Sequence, residues 1–359
     1  MERKSIGVAV IGSGRIGTLR ARIAARHPSV RFLAVSDKDP ARAASLAESV
    51  RADFHSGDNL EAISRPEVNA VIISTSEHEH TVPILQALEL GKPVLVEKPI
   101  ALTLEEADKT VAAAEKSGVE LRIGYSRRFE RRWMLAKEQI TRGRLGQILG
   151  IFARAYNSRA QMFQMLQRSP EVTPVTDALT YWVDMAGWFL EGIRPREVFA
   201  RGNARIFKAA GYAAHDLTSA IVTFEDGTVV NLGVCYSLPA KYPTFGQLIR
   251  CEILGEEGVM LFDQDNKDNI LYTEKGIPHS YVPDHDLNML FLQSTSSGDW
   301  AMGDYWGPVG DDTRCWLDHL VTGCPCLHTS PRDARQTLEI TLAIEESARR
   351  KRAIELPMR

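Results

Sequence analysis

Short apolar runs alternate with amphipathic segments over the first 125 residues. SIGVAVIG, VRFLAVSD, NAVIIST, PVLVEKP and VELRIGYSR read as five strands. Between them GRIGTLRARIAARH, PARAASLAESV, HTVPILQALELG and TLEEADKTVAAAEKSG carry apolar residues at helical spacing. Pro40 stands at a helix start and Gly91 at a helix end. Thr103 is placed as an N-cap with Glu106 three residues on as capping-box partner, and Gly118 as the C-cap. Strict alternation of strand and helix predicts a parallel, doubly wound sheet, a Rossmann domain over residues 1–125.

Beyond residue 125 the rhythm changes. LGQILGIFARAYN and REVFARGNARI read as longer strands, and SAIVTFEDGTVVNLGVCY as a hairpin around Asp226-Gly227, a two-residue turn signal. LIRCEILGEEGVMLFD is another strand–turn–strand. TDALTYWVDMAGWFL, residues 176–190, is a mostly apolar helix that places Asp177, Tyr181, Asp184 and Trp188 on one face. Residues 264–312 show no clean period and read as a strand or two plus a long surface loop. SPRDARQTLEITLAIEESARRK is a closing helix. Residues 126–359 thus read as an α+β domain with a large open, mainly antiparallel sheet and helices on one side.

Composition adds exclusions. The 359 residues are 44% hydrophobic and 25% charged, ordinary for a globular protein and long enough for two cores. A net charge of -3 points away from nucleic acid and from anionic membrane. No apolar run approaches the roughly 20 residues of a membrane span. A secretory leader needs a longer apolar region and a cleavage site, so MERKSIGVAVIGSG reads as the first strand of a cytoplasmic protein. Five scattered cysteines do not make a disulfide framework. Cys324-Pro325-Cys326 lies near His319 and His328, which leaves a zinc site or ordinary helix-end and loop residues. The usual paired-ligand spacing is missing, so no metal is expected.

The first βα turn carries chemistry. Gly12, Gly14 and Gly17 form G-x-G-x-x-G after a strand and at the opening of a helix, a context that turns a weak motif into a dinucleotide site. Arg15 and Ile16 complete that turn. Its helix N-terminus should face the pyrophosphate. Asp37 ends the second strand about 20 residues past Gly17, where a carboxylate accepts the ribose hydroxyls of NAD and repels the 2′-phosphate of NADP. Lys38 follows and could blunt that repulsion, so NAD is expected, with NADP possible. Thr75 is placed at the cofactor after the third strand. Glu97, Lys98 and Pro99 end the fourth strand, at the carboxyl edge where such sheets bind ligands, so Lys98 can reach the nicotinamide.

The glycine turn, the E-K-P and the later D-x-x-x-Y helix resemble the Gfo/Idh/MocA oxidoreductases over essentially the whole chain. GYSRRFERRW, EQITRGRLGQILGIFARAYN and the C-terminal WLDHLVTGCPCLHTSPRDARQTLEITLAIEESARRKRAIEL, similar to the family's closing helix–loop–helix, extend the likeness. The resemblance implies NAD(P)-dependent oxidation or reduction of a secondary carbinol on a sugar or cyclitol. It implies a second domain whose open sheet is an oligomer interface, in a homodimer or homotetramer. It carries the substrate-hydroxyl role to Lys98 and the family aspartate to Asp177. Tyr181 stands where histidine is usual, as in the family's tyrosine branch. Arg127, Arg128 and Asp184 are more similar to inositol dehydrogenases. His80 occupies the family's histidine position and supports the cofactor loop with Glu97.

In the mechanism this implies, a ring carbon gives hydride to nicotinamide while a side chain takes the hydroxyl proton. A phenol near pKa 10 is a poor base unless a cation such as Lys98 favours phenolate. Asp177 orients Lys98 or binds an adjacent hydroxyl. Arg127, Arg128, Asn157, Asp184, Lys241 and Tyr242, with Phe245, are candidate substrate contacts, which would suit a polyol with an anionic group or be a solvated rim. His215 and Asp216 could be simple turn residues. Two alternatives remain: an oxidoreductive glycosidase that recycles NAD through transient oxidation and elimination, and a non-catalytic NAD(H)-binding sensor.

Overall fold

The computed structural model describes residues 5–358 except 265–269, 280–281, 292–297 and 303. The chain forms two compact units, Met1–Glu130 with Trp300–Leu338, and Arg131–Asp299 with Glu339–Arg359. This partition differs from a division at residue 125, because residues 300–338 pack with the first unit.

The first unit alternates β1 (Ile6–Ile11), α1 (Arg15–Arg26), β2 (Val30–Ser36), α2 (Pro40–Val50), β3 (Phe54–Ser56), α3 (Asn59–Ser64), β4 (Ala70–Ile73), α4 (Thr81–Glu89), β5 (Val94–Glu97), α5 (Leu104–Ser117) and β6 (Leu121–Gly124). The strands form one parallel sheet in the order β3-β2-β1-β4-β5-β6, the doubly wound dinucleotide-binding order. Six strands stand where the sequence pattern predicts five. β3 and α3 escape the pattern because Phe-His-Ser is too short and polar to show a period. Local signals hold elsewhere. The Asp39 carboxylate caps α2 by accepting from the Ala41 and Arg42 N–H groups, with Pro40 in the first turn. Thr103 Oγ1 accepts from Glu106 N–H at 3.2 Å, and Gly118 closes α5 at φ 66°.

The second unit comprises α6 (Arg131–Thr141), β7 (Ile148–Ser158), α7 (Arg159–Arg168), a π turn at Val175–Leu179, α8 (Thr180–Phe189), β8 (Pro195–Asn203), α9 (Ile206–Ala209), β9 (Leu217–Phe224), β10 (Val229–Leu238), β11 (Leu248–Gly255) and β12 (Val259–Asp263). It continues into β13 (Ile270–Pro278) and β14 (Asp286–Phe291). β15 (Asp299–Ala301) leads back to the first unit, which holds β16 (Asp304–Trp306) and α10 (Pro308–Thr322), and α11 (Pro331–Arg350) runs from the first unit into the second, where β17 (Ile354–Glu355) ends the chain's elements. Seven strands form an open sheet in the order β12-β11-β7-β10-β9-β8-β17, antiparallel except for the β7–β10 pair. One face buries Ile151, Val222, Leu232 and Ile253 against Trp182, Met185, Phe189 and Ile344 from the helices. The other face is open.

Three expectations change. Between β9 and β10 the Phe224 N–H bond to Thr228 O closes a loop of three residues, Glu225 to Gly227, with Gly227 at φ 90°. That is a turn plus left-handed residue, not a two-residue turn. Residues 176–190 do not form one regular helix, since the π turn precedes α8. Residues 264–312 contain the paired β13 and β14, the ribbon β15–β16, and the start of α10 at Pro308. The rest of that stretch, at 265–269, 280–281, 292–297 and 303, lies outside the described residues. No helix among the described residues is long and apolar enough to cross a membrane.

Candidate active site

The glycine turn is built by close approach. A Cβ on Gly17 would stand 1.8 Å from Gly12 O, so only glycine lets α1 meet the turn, and Gly12 itself lies at φ 97°. Gly14 differs: a Cβ there meets nothing within 4 Å. It is exposed and opens α1 as its N-cap with no side-chain cap bond. Free space in front of uncapped helix N–H groups is the cradle a pyrophosphate requires, so these residues fit a dinucleotide. Arg15 is exposed, and Ile16 packs on the small cluster of Leu19, Ile23 and Val309.

Asp37 borders this turn. Its Oδ2 accepts from Ser13 N–H at 2.7 Å and its Oδ1 from Asp39 N–H at 2.9 Å. Those bonds aim the carboxylate, and each oxygen keeps acceptor capacity for a hydroxyl. Lys38 Nζ sits on Glu79 Oε1 at 2.7 Å. At the end of β4, Thr75 Oγ1 is buried without a hydrogen-bond partner, and Thr75 O lies 3.2 Å from His80 Nε2. His80 is fully buried, and its Nδ1 lies 2.9 Å from Pro99 O. The ring thus ties the loop after β4 to the turn after β5. Burial holds it below its ordinary pKa.

The Lys98–Pro99 peptide is cis. Behind it, Glu97 Oε1 accepts from Arg20 Nε at 2.6 Å. The fully buried Arg20 also makes a two-pronged pair with Asp312, at 2.6 and 3.1 Å, and donates to Thr313 at 2.8 Å. Arg127 and Arg128 lie in the turn Ser126–Phe129 after β6 and are buried, not a solvated rim. Arg127 pairs with Glu130 at 3.2 Å, and Arg128 Nη1 reaches Leu327 O at 3.5 Å.

In the second unit, Asp177 lies on the π turn, and Tyr181 begins the following helix as its second residue. Asp177, Tyr181 and Trp188 are half-buried, whereas Asp184 is only 1% exposed. The structure gathers Asp177 with Asn157 and with two residues the sequence reading missed, Tyr236 and Gln247. Tyr236 donates to Asp177 Oδ2 at 2.5 Å and accepts from Gln247 Nε2 at 3.0 Å. Asn157, at the end of β7, also bonds the Tyr236 hydroxyl. Tyr236 had one legible signal: it continues the buried row Val230, Leu232, Val234 on β10.

The remaining candidates differ in burial. Lys241 is exposed and Tyr242 half-buried. Phe245 is buried against Leu287 and Leu290. Asp216 caps α9, accepting from the N–H groups of Arg205, Ile206 and Phe207 at 2.6–3.0 Å.

This sheet order, with a glycine cradle and a lysine at a strand's carboxyl edge, defines a dinucleotide-dependent oxidoreductase. Residues 6–125 match the model of an oxidoreductase family with an NAD-binding Rossmann fold, and residues 133–261 match the GFO/IDH/MocA C-terminal domain. The chain belongs to the Gfo/Idh/MocA family, and its first unit is an NAD-binding domain. It is 30% identical over 258 residues to inositol 2-dehydrogenase 1 of Saccharopolyspora erythraea, 71% of this chain and 72% of that protein. It is 26% identical over 361 residues to myo-inositol 2-dehydrogenase of Thermotoga maritima, 97% and 98% of the two chains. A scyllo-inositol dehydrogenase from Lactobacillus casei, solved with NAD(H) and scyllo-inositol, shares the fold at TM-score 0.80 and 20% identity, over 98% of this chain and 99% of that one.

Proposed function

We propose that this protein is an NAD-dependent dehydrogenase that oxidises a secondary hydroxyl of a cyclitol, sugar or sugar acid. The observation that carries the reading is the pairing, on one parallel sheet, of the open cradle at Gly14 with Lys98 at the carboxyl edge of β5. The inositol dehydrogenases among its relatives support a polyol substrate. NAD, when bound, accepts the hydride. Lys98 and Tyr181 handle the hydroxyl proton, and Asp177, held by Tyr236, binds a neighbouring hydroxyl. An ammonium at Lys98 stabilises a developing alkoxide, and burial of Arg127 and Arg128 restricts water. The lysine of the second strand's end, engaged by Glu79, leaves Asp37 to discriminate against a 2′-phosphate. A second copy of the chain covers the open sheet face.

The test is turnover of cyclitols, hexoses, uronic acids, sulfonated sugars and aromatic dihydrodiols, read by absorbance of reduced nicotinamide with NAD and NADP in parallel. Activity on a cyclitol or sugar supports the reading. Disappearance of a glycoside without net reduced nicotinamide replaces it with redox-neutral cleavage. Lys98→Met should lower kcat/KM by about 100-fold or more while NAD affinity changes by only a few-fold. If Tyr181→Phe keeps turnover within a few-fold, Tyr181 has no proton role.

A further inference from the structure

Among the described residues of the first unit, Glu120, His319 and Cys326 bring one ligand-type atom each to within 4.8 Å of one another. Three pieces of the fold assemble them. Glu120 immediately precedes β6. His319 lies in the last turn of α10, which Gly323 closes at φ 70° with its N–H on His319 O. Cys326 lies in the connection to α11. That connection is laid along β6 by the Ile123 N–H bond to Thr329 O at 3.1 Å and an antiparallel bridge between the same residues.

The hydrogen bonding around His319 is the informative feature. Its Nδ1 lies 2.5 Å from Cys324 O. A carbonyl only accepts, so Nδ1 carries its proton. That leaves Nε2 with a lone pair, 2.9 Å from Glu120 Oε2. Two acceptor atoms at this distance need a positive particle between them, a second imidazole proton or a metal ion. A backbone carbonyl holding one imidazole nitrogen so that the other faces outward is the outer-shell arrangement of metal-bound histidines. Arg122 Nε takes Glu120 Oε1 at 3.0 Å, which leaves Oε2 as the ligand atom. Cys326 Sγ adds a soft donor and is itself oriented by His328 Nδ1 at 3.1 Å.

We propose that Glu120 Oε2, His319 Nε2 and Cys326 Sγ bind a zinc ion, with water in the fourth position. One nitrogen, one sulfur and one oxygen form the donor set that suits zinc. Tetrahedral zinc with bonds of 2.0–2.3 Å sets ligand atoms roughly 3.5 Å apart. All three side chains are half-buried: His319 Nε2 and Glu120 Oε2, 2.9 Å apart, open by about 0.6 Å while Cys326 Sγ closes on them, adjustments within reach of side-chain rotation. In the register of β5 with β6, Val94 pairs with Leu121 and Glu97 with Gly124. The ion thus sits at the opposite strand ends from Lys98, and its role is to clamp α10 and its connection to the sheet edge. The sequence pattern could not show this site, because its carboxylate comes from 199 residues before its histidine.

The experiment uses the full chain, stripped with a chelator under reducing conditions and titrated with Zn2+ against a competing indicator. Co2+ serves as a spectroscopic stand-in. Expected are one equivalent of Zn2+ per chain, a raised Tm, and a thiolate-to-Co2+ charge-transfer band. Cys326→Ser should abolish that band, and Cys326→Ser and His319→Gln should each weaken Zn2+ binding at least about 10-fold. Cys235→Ser, on β10, should change neither. Binding below a tenth of an equivalent, binding untouched by Cys326→Ser, or a disulfide at Cys326 in the purified chain would each overturn the proposal.

Discussion

Tyr236 is only 2% exposed, yet its hydroxyl is fully used: it donates to Asp177 and accepts from Gln247. Burial, and then the Asp177 carboxylate, hold that hydroxyl protonated well above the usual tyrosine range. It is therefore a permanent donor near neutrality. Tyr236→Phe should cost about 1–3 kcal/mol in urea unfolding, because Asp177 and Gln247 lose a buried partner. Arg20 has the same character in the first unit. It neutralises Asp312 and Glu97 from a fully buried position. Arg20→Met leaves both carboxylates without their cation and should destabilise the chain by about 3–5 kcal/mol in the same measurement. Neither residue was legible as a site component. An arginine in an amphipathic helix and a tyrosine in an alternating strand look ordinary until their partners, 292 and 59 residues away, are known.

At the level of elements, the β1–α1 turn separates packing from binding. Gly17 is held by the backbone of Gly12, whereas the space around Gly14 is open. Gly14→Ala should leave Tm nearly unchanged, since Gly14 lies at φ -72°, a conformation open to any residue. It should weaken NAD binding by about 10-fold or more by titration calorimetry. Gly17→Ala should lower Tm steeply, because the added methyl forces α1 off the sheet. The same scale explains a departure from the expected pattern. The π turn at Val175–Leu179 admits an extra residue before α8, and such turns are frequent at functional sites. It places Asp177 half-buried beside the Tyr236 hydroxyl. Apolar periodicity cannot reveal an inserted residue, because the flanking positions remain apolar in either helix type.

At the level of the molecule, the second unit's sheet leaves a continuous row on its open face. Register runs Leu261, Glu252, Phe152, Asn231, Ile221 and Phe199 across six strands. Leu261 is 71% exposed, with Phe152, Ile221 and Phe199 near 40%. Alternating hydrophobic residues on an uncovered face belong to an interface more readily than to solvent. Leu261→Glu combined with Phe152→Glu should reduce the assembly mass measured by light scattering to that of one chain, with far-ultraviolet dichroism unchanged. Unchanged mass would show that this face does not join copies.

The sequence by itself determined the first unit's alternation, the glycine turn, Asp37 and E-K-P, and through them the family. These features are local: a period of 3.6 or 2, a cap, and a glycine where no side chain fits. Only the tertiary structure decided which polar groups meet. It put Tyr236, with Gln247 on its hydroxyl, against Asp177, Arg20 behind Glu97, and α10 with the first unit. It made Asp216, which reads in the sequence as a simple turn residue, the cap of α9. Those pairings depend on strand register and helix packing across long sequence separations, and the energy that enforces them is burial, which no short stretch of residues encodes alone.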